Sequence, residues 1–239
     1  MVRTHLHDSL TESTHAQTQF STGIPTQARF RMPTRSGRQD NGWYSFEMGP
    51  VHFIVMDTEM NAFESSTQYD FFKSDLESVN RSVTPWIIFS GHRPMYSSSD
   101  NIPGLDLPNG PWWPEVEQLL LKHEVDLCLW GHNHNAEVTC PLRNGTCANT
   151  TSPNEYGGVV HAIIGNAGQS LSQFTQGGFD WSMWRFPEFG YSSIEVNGRK
   201  NLTMRFFADS NHSVVYEFTI QGKNHSKKKE GHRRRSISF

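Results

Sequence analysis

Cysteine is scarce in this 239-residue chain, and long apolar runs are absent. Three cysteines are too few for a small scaffold built on disulfides. No window approaches about eighteen consecutive apolar residues, so the sequence predicts no membrane-spanning helix. Residues 1–24 are polar and lack the apolar core of a signal peptide. With 35% hydrophobic and 19% charged residues, the composition predicts a soluble globular protein.

Basic residues are concentrated at one end of the chain. Seven of the 21 lie in the last seventeen positions, and before Gly222 the net charge is −9, against −3 for the whole chain. An acidic body argues against nucleic acid as a partner of the folded part. Because the basic end has no apolar periodicity, residues 222–239 are predicted to be a solvated, disordered tail.

Asparagine sequons and two nearby cysteines point to the secretory route. Composition alone gives about 2.6 sequons, yet six occur, which predicts glycosylation at Asn80, Asn144, Asn149, Asn201, Asn211 and Asn224. Cys140 and Cys147 could close a short disulfide loop, which suits that compartment, whereas Cys128 lies in an apolar run and reads as a buried thiol. A secreted chain without a visible signal peptide leads us to expect that the natural N-terminus lies upstream.

Apolar runs alternate with helical periodicity in the middle of the chain. Strands are predicted at residues 43–47, 51–57, 86–89 and 125–130, with helices near 69–79, capped by Thr67 and Asp70, and from Pro114. Continuous apolar strands separated by helices predict a parallel sheet that is buried on both faces. In the C-terminal third, residues 159–164, 190–196, 202–207 and 214–220 predict antiparallel strands, with Asn197-Gly198 as a two-residue turn.

Two of the predicted buried strands end in Gly-His. Gly91-His92 follows one, and Gly131-His132-Asn133-His134 follows the next. Open α/β sheets bind ligands at the carboxyl ends of their strands, and residues two apart in an extended segment point to the same side. Imidazole favours Zn, Fe, Mn or Cu over Mg or Ca. The three histidines are therefore predicted metal ligands. By contrast, His52 and His161 lie within apolar strands and are predicted to be hydrogen-bonded core residues.

Longer sequence blocks surround these histidines. They are Arg-Phe-Arg-Met-Pro at 29–33, Tyr-Ser-Phe-Glu at 44–47, Ser-Gly-His-Arg-Pro-Met-Tyr at 90–96, Gly-His-Asn-His at 131–134, Thr-Cys-Pro at 139–141, Gly-Tyr at 190–191 and Glu-Phe-Thr-Ile at 217–220. In this order, from about residue 25 to 220, the blocks resemble the purple acid phosphatases, a family within the calcineurin-like metallophosphoesterases.

The resemblance implies an α/β fold that is part of a four-layer α/β/β/α sandwich, with a parallel or mixed sheet first and antiparallel strands in the C-terminal third. Residues 25–157 would be the C-terminal part of the metallophosphoesterase domain. Residues 158–221 would be the family's C-terminal region, between an irregular segment at 1–24 and the basic tail at 222–239.

The resemblance also implies an activity and a cofactor. Family members hydrolyse phosphomonoesters at acidic pH with a metal-bound hydroxide at a dinuclear centre, in which Fe(III) lies beside Fe(II), Zn or Mn. By position, His92 and His132 would bind the second metal and His134 the ferric ion. The expected partner is a small phosphomonoester, without nucleic acid or membrane, and the expected location is extracellular or vacuolar.

Three other blocks of the family are missing from their expected place upstream of Arg29: Asp-x-Gly, Gly-Asp-x-x-Tyr and Gly-Asn-His. They supply the carboxylates, the tyrosinate and the asparagine of the metal centre. Some plant members also carry substrate-facing histidines in the loop that corresponds to Ser97–Pro111, where this sequence has none, so the catalytic proton donor stays unassigned. Three hypotheses remain. The leading one is an acid phosphatase. The second is a truncated, inactive glycoprotein with a partial or empty metal site. The third is a copper-type binding module that uses the His-x-His segment.

Overall fold

The structure, a computed structural model, describes residues 28–33, 42–99, 113–148, 156–168, 170–174 and 179–223. The predicted segment 1–24, residues 224–239 of the predicted tail, Asn149 and Asn224 lie outside these residues. The elements, in chain order, are β1 (Tyr44–Met48), β2 (Val51–Val55), α1 (Thr67–Ser78), β3 (Trp86–Gly91), α2 (Trp113–Lys122), β4 (Leu127–Trp130), β5 (Ala136–Thr139), β6 (Leu142–Arg143), β7 (Thr146–Cys147), β8 (Val160–Ile164), β9 (Ser182–Phe186), β10 (Gly190–Asn197), β11 (Asn201–Ala208) and β12 (Val214–Gln221).

A seven-stranded mixed sheet organises the molecule, in the order β1-β2-β3-β4-β8-β5-β9. Strands β2, β3, β4 and β8 are parallel, while β1, β5 and β9 pair antiparallel with their neighbours. The parallel strands are joined through α1 and α2, as the alternating pattern predicted. The predicted α/β class with a mixed sheet is confirmed.

Helix α1 begins one residue away from the predicted capping box. Ser66 is its N-cap, and the Ser66 hydroxyl accepts a hydrogen bond from the Tyr69 amide at 3.1 Å. The box predicted at Thr67 and Asp70 is therefore wrong by one position. The apolar stripe of the helix packs on the sheet as expected, with the ring of the buried Phe72 edge-on to Phe89 at 5.2 Å.

The sheet separates two apolar cores. One face packs against α1 and α2, whose buried residues include Phe72, Val116 and Leu120. The other face packs against a three-stranded antiparallel sheet, β10-β11-β12, through the alternate residues Leu202, Met204 and Phe206. The described residues thus form α/β/β layers, which are three of the four layers that the sandwich contains.

The β10–β11 hairpin differs from the predicted two-residue turn. Asn197 pairs with Asn201, so residues 198–200 form a three-residue loop that begins with Gly198 at φ +52°. The Lys200 amide donates to the Asn197 carbonyl at 2.9 Å. The buried Trp86 indole donates to the Gly198 carbonyl at 2.6 Å, which ties the loop to the start of β3.

Asp126, just before β4, anchors two distant segments. Its carboxylate accepts from Arg81 at 2.9 Å, from the Ile87 amide at 2.9 Å and from the Lys223 ammonium at 2.6 Å. Lys223 also lies 4.1 Å from the centre of the Tyr156 ring, and burial lowers its pKa. Although the sequence assigns Lys223 to the basic tail, the residue packs in the folded body.

Both predictions about the cysteines are confirmed. Cys140 and Cys147 form a disulfide across the short β6–β7 hairpin, and Cys128 is a buried thiol on β4. Burial raises the pKa of the Cys128 thiol well above its usual value.

Each of the two core histidines has one ring nitrogen in a hydrogen bond, and the other nitrogen, His52 Nδ1 or His161 Nε2, is buried without a hydrogen-bond partner among the described residues. His52 Nε2 lies 2.7 Å from an Asp75 carboxylate oxygen, and the Ser45 hydroxyl donates to the other oxygen at 2.7 Å. This confirms the predicted core role of His52. His161 Nδ1 accepts from the Trp130 indole at 3.0 Å.

None of the helices in the described part of the chain is long and apolar enough to cross a membrane.

Candidate active site at the carboxyl edge of the sheet

His92 and His132 meet at the carboxyl edge of the parallel sheet. Strands β3 and β4 are adjacent, and Gly91 pairs with Trp130 at their ends, so the residues that follow leave the sheet side by side. His92 Nε2 and His132 Nδ1 are 3.1 Å apart, and their rings are nearly perpendicular, at 78°. Two of the three predicted ligands are therefore in contact, as expected from their positions at the ends of adjacent parallel strands.

The backbone of both strand ends is tightly constrained. A Cβ atom on Gly91 would lie 2.8 Å from the Thr58 methyl and 3.0 Å from the Trp130 ring, so the position requires glycine. Gly131 then donates its amide to the His92 carbonyl at 2.9 Å. His132 has a φ of +62°, a left-handed conformation that costs a non-glycine residue about 1–2 kcal/mol.

The segment from His132 to His134 is bent. The Asn133 amide donates to the Gly131 carbonyl at 2.7 Å, which closes a tight turn directly after β4. The extended geometry predicted for this His-x-His segment is therefore wrong, because the left-handed turn at His132 separates the two side chains from a common strand face.

His134 is held by a different part of the chain. Its amide donates to the Ser172 hydroxyl at 2.9 Å, and the Ser172 amide donates back to the His134 carbonyl at 2.9 Å. Its ring nitrogen Nδ1 lies 3.5 Å from the Ser170 hydroxyl. The ring is thus placed by residues that the sequence did not single out.

Partial burial lowers the pKa of both paired imidazoles. For His92 the burial effect is largest; the Glu59 carboxylate opposes it, and the charges of Arg93 and His134 add to it. For His132 burial is again first, followed by the positive charges of Arg93 and His92. Both rings therefore favour the neutral form, which is the form that binds metal ions.

The described residues do not by themselves fit a dinuclear metal centre. Among them, no three His, Cys, Asp or Glu side chains are grouped so that they could hold one ion. Two adjacent cations need anionic ligands to offset their charge, and the two atoms in contact here both belong to imidazole rings, which carry no negative charge. No reaction step is therefore assigned to a metal on these residues.

Hydrogen bonds join the segment after His92 to the segment that contains His132 and His134. These contacts were not predicted from the sequence. Three consecutive serines, residues 97–99, face alternate residues of the segment that follows β4. Asn133 donates to the first and Asn135 to the third, each at 2.5 Å, and the Glu137 carboxylate accepts from the amide of the second at 2.9 Å. Alternate polar residues at 133, 135 and 137 were the available sequence signal.

Two family sequence models match the chain. The model described as "Calcineurin-like phosphoesterase" matches residues 20–136, which include the three histidines. The model described as "Iron/zinc purple acid phosphatase-like protein C" matches residues 158–217, the region of β8 to β12.

Individual proteins agree with these matches. "Probable inactive purple acid phosphatase 9" of Arabidopsis thaliana is 35% identical over 81% of this chain and 32% of its own length. "Acid phosphatase type 7" of Homo sapiens is 30% identical over 80% of this chain and 48% of its own. A purple acid phosphatase from yellow lupin seeds superposes with a TM-score of 0.75 at 29% identity, over 84% of this chain and 36% of that one.

The layered fold, with its histidines at the strand ends, defines a calcineurin-like phosphoesterase. The match over the C-terminal region and the similar proteins narrow this class to a single family. The chain belongs to the purple acid phosphatase family. It spans about a third of the length of the first plant relatives and about half that of the animal ones. Membership implies a dinuclear metal centre for the family.

Proposed function

We propose that the histidine edge is part of a phosphomonoesterase site and that the natural protein acts as an acid phosphatase on small phosphomonoesters. The histidine edge consists of His92, His132 and His134, at the carboxyl ends of β3 and β4. The observation that carries the proposal is the contact between His92 and His132 at the ends of two adjacent parallel strands. The matched phosphoesterase model and the animal relatives named acid phosphatases support it.

The same proposal gives the histidines the role of metal donors. His92, His132 and His134 would contribute imidazoles to a centre of Fe(III) with Fe(II), Zn or Mn. The lowered pKa values of His92 and His132 support this role, because they weaken the competition of protons with a metal ion for the ring nitrogens. The remaining ligands would have to come from outside the described residues.

A second candidate function is that of a catalytically inactive glycoprotein. It is favoured by the lack of any three-donor group in the described residues and by the plant relatives whose names include "probable inactive". Under this alternative the histidine edge persists as a partial or empty site.

The experiment that decides between them measures hydrolysis of an aryl phosphate at acidic pH by the full chain, loaded with Fe(III) and then with Fe(II), Zn or Mn. We expect His92→Ala, His132→Ala and His134→Ala each to abolish turnover, whereas the exposed His212→Ala leaves it unchanged. Activity that survives in all three variants would refute the assignment. No activity and no bound metal in the unsubstituted chain would establish the second candidate.

A secreted, glycosylated form is part of the proposal. Asn80, Asn144 and Asn211 are exposed, and Asn201 is half-buried on β11. The disulfide between Cys140 and Cys147 supports an oxidising compartment. Expression through a secretory route, followed by enzymatic removal of N-glycans, should lower the apparent mass of the protein; an unchanged mass would contradict glycosylation.

A further inference from the structure

Arg93 stands beside the histidine pair, although neither the motif argument nor the comparisons give it a role. It follows His92 directly at the end of β3, and 15% of its side chain is exposed. Its positive charge is the largest single charge effect on His132. The cation therefore acts on both strand ends, not only on its sequence neighbour.

The loop after β2 holds Arg93 in one orientation. The Arg93 amide donates to the Thr58 hydroxyl at 3.1 Å, and its Nε donates to the Glu59 carboxylate at 2.6 Å. Glu59 is itself fixed, because its amide donates to an Asp57 carboxylate oxygen at 2.9 Å. Both the backbone and the root of the guanidinium are thus positioned before any ligand arrives.

Besides Nε, the guanidinium carries two terminal groups, Nη1 and Nη2. In the described part of the chain, the hydrogen bond of the Arg93 side chain is the one from Nε, which leaves both Nη groups as donors for another acceptor. A guanidinium fork matches the oxygen spacing of a phosphate, and a pre-oriented fork loses little entropy on binding.

We propose that Arg93 binds the phosphoryl group of a phosphate monoester through its two Nη groups, beside His92 and His132, and that this contact does not require a metal. The inference rests on the proposed function, since the ligand is the same phosphate ester at the same edge of the sheet. Glu59 balances the charge of Arg93 through their ion pair and competes with an incoming anion.

The test titrates inorganic phosphate into the full chain in the presence of EDTA, at constant ionic strength set with chloride, and follows the phosphorus NMR line width. We expect Arg93→Met to weaken phosphate binding by roughly tenfold or more, as for the loss of charge-assisted hydrogen bonds. Arg93→Lys keeps the charge but not the fork, and should lose affinity by a smaller factor.

Glu59→Gln separates a binding role from a purely structural ion pair. Removing the carboxylate should tighten phosphate binding, by about twofold or more, because a competing anion is gone. If the ion pair were purely structural, Glu59→Gln and Arg93→Met would lower stability by similar amounts, and both variants would bind phosphate with the same affinity. Arg205→Met is the matched control, since Arg205 pairs with Glu195 and Glu217 on the three-stranded sheet.

Thermal unfolding of each variant checks that it is folded. The inference is overturned if the unsubstituted chain binds no phosphate in EDTA, if Arg93→Met binds as tightly as the parent, or if Glu59→Gln weakens binding as Arg93→Met does. Since no turnover is measured, a chain that hydrolyses nothing but binds phosphate through Arg93 would refute the proposed activity and uphold this inference.

Discussion

Replacing His161 should change how the stability of the protein depends on pH. The imidazole is almost fully buried between Tyr96 and Trp130, with ring centres 5.0 and 6.0 Å away. Burial lowers the pKa of His161 to about 3, whereas an unfolded chain protonates the same group near its usual value of 6.5. Between these values the unfolded state binds one proton more than the folded state, so stability falls as the pH falls.

The magnitude follows from the two pKa values. Above about pH 6.5 the histidine is neutral in both states and costs nothing. Below it, the penalty grows by up to about 1.4 kcal/mol per pH unit, reaches about 2 kcal/mol at pH 5, and levels off near 5 kcal/mol once the folded group titrates. The penalty therefore falls within the acidic range in which the proposed phosphatase would work.

Chemical denaturation of the unsubstituted chain and of His161→Gln, at a series of pH values from 7 to 5, measures this effect. Glutamine retains an acceptor for the Trp130 indole but does not titrate. We expect the difference in the free energy of unfolding to shift by about 2 kcal/mol in favour of His161→Gln across this range. Parallel curves for His161→Gln and the parent would refute the reasoning.

Two further perturbations test the fold. Removing the disulfide with Cys140→Ser and Cys147→Ser should cost about 2–3 kcal/mol, the chain-entropy value for its short loop; equal denaturation midpoints for the double variant and the parent, both unreduced, would contradict this. Arg81→Met should destabilise the chain by about 1.5–3 kcal/mol, because the buried Asp126 loses one charge-assisted hydrogen bond while it keeps those from Lys223 and the Ile87 amide. Denaturant unfolding measures the loss of stability, and Arg205→Met serves as the exposed control. An equally small loss in both variants would contradict a buried, stabilising role for Arg81.

The sheet could be predicted from the sequence because its signals are local. Runs such as Trp86–Phe89 are apolar on both faces, and a strand that carries no polar face fits only the inside of a layered sheet. The helix stripes follow the same logic. Strand order is a different matter: β8 inserts between β4 and β5, and no local pattern states which edges meet.

Part of the candidate site could likewise be predicted from local sequence signals, and part could not. The meeting of His92 with His132 follows from two parallel strands that end together, a consequence of topology that the Gly-His repeats reveal. The left-handed turn at His132 could not be predicted from the sequence, because histidine rarely adopts a positive φ and does so here under the constraint of its surroundings. The predicted turn at Asn197-Gly198 failed similarly: its glycine does adopt positive φ, but the register of β10 against β11 keeps Asn197 in the strand and makes residues 198–200 the loop.

The ion pair between Lys223 and Asp126 fixes Lys223 at the start of β4. Asp126 precedes β4, and His132 follows it, so Lys223 and the histidine edge are separated by the length of a strand, about 13 Å for four residues. An affinity tag or a fluorescent protein fused directly to Lys223, in place of residues 224–239, would therefore start at the edge of the sheet opposite the histidines. The histidine edge would stay open to ligands in an immobilised or labelled protein.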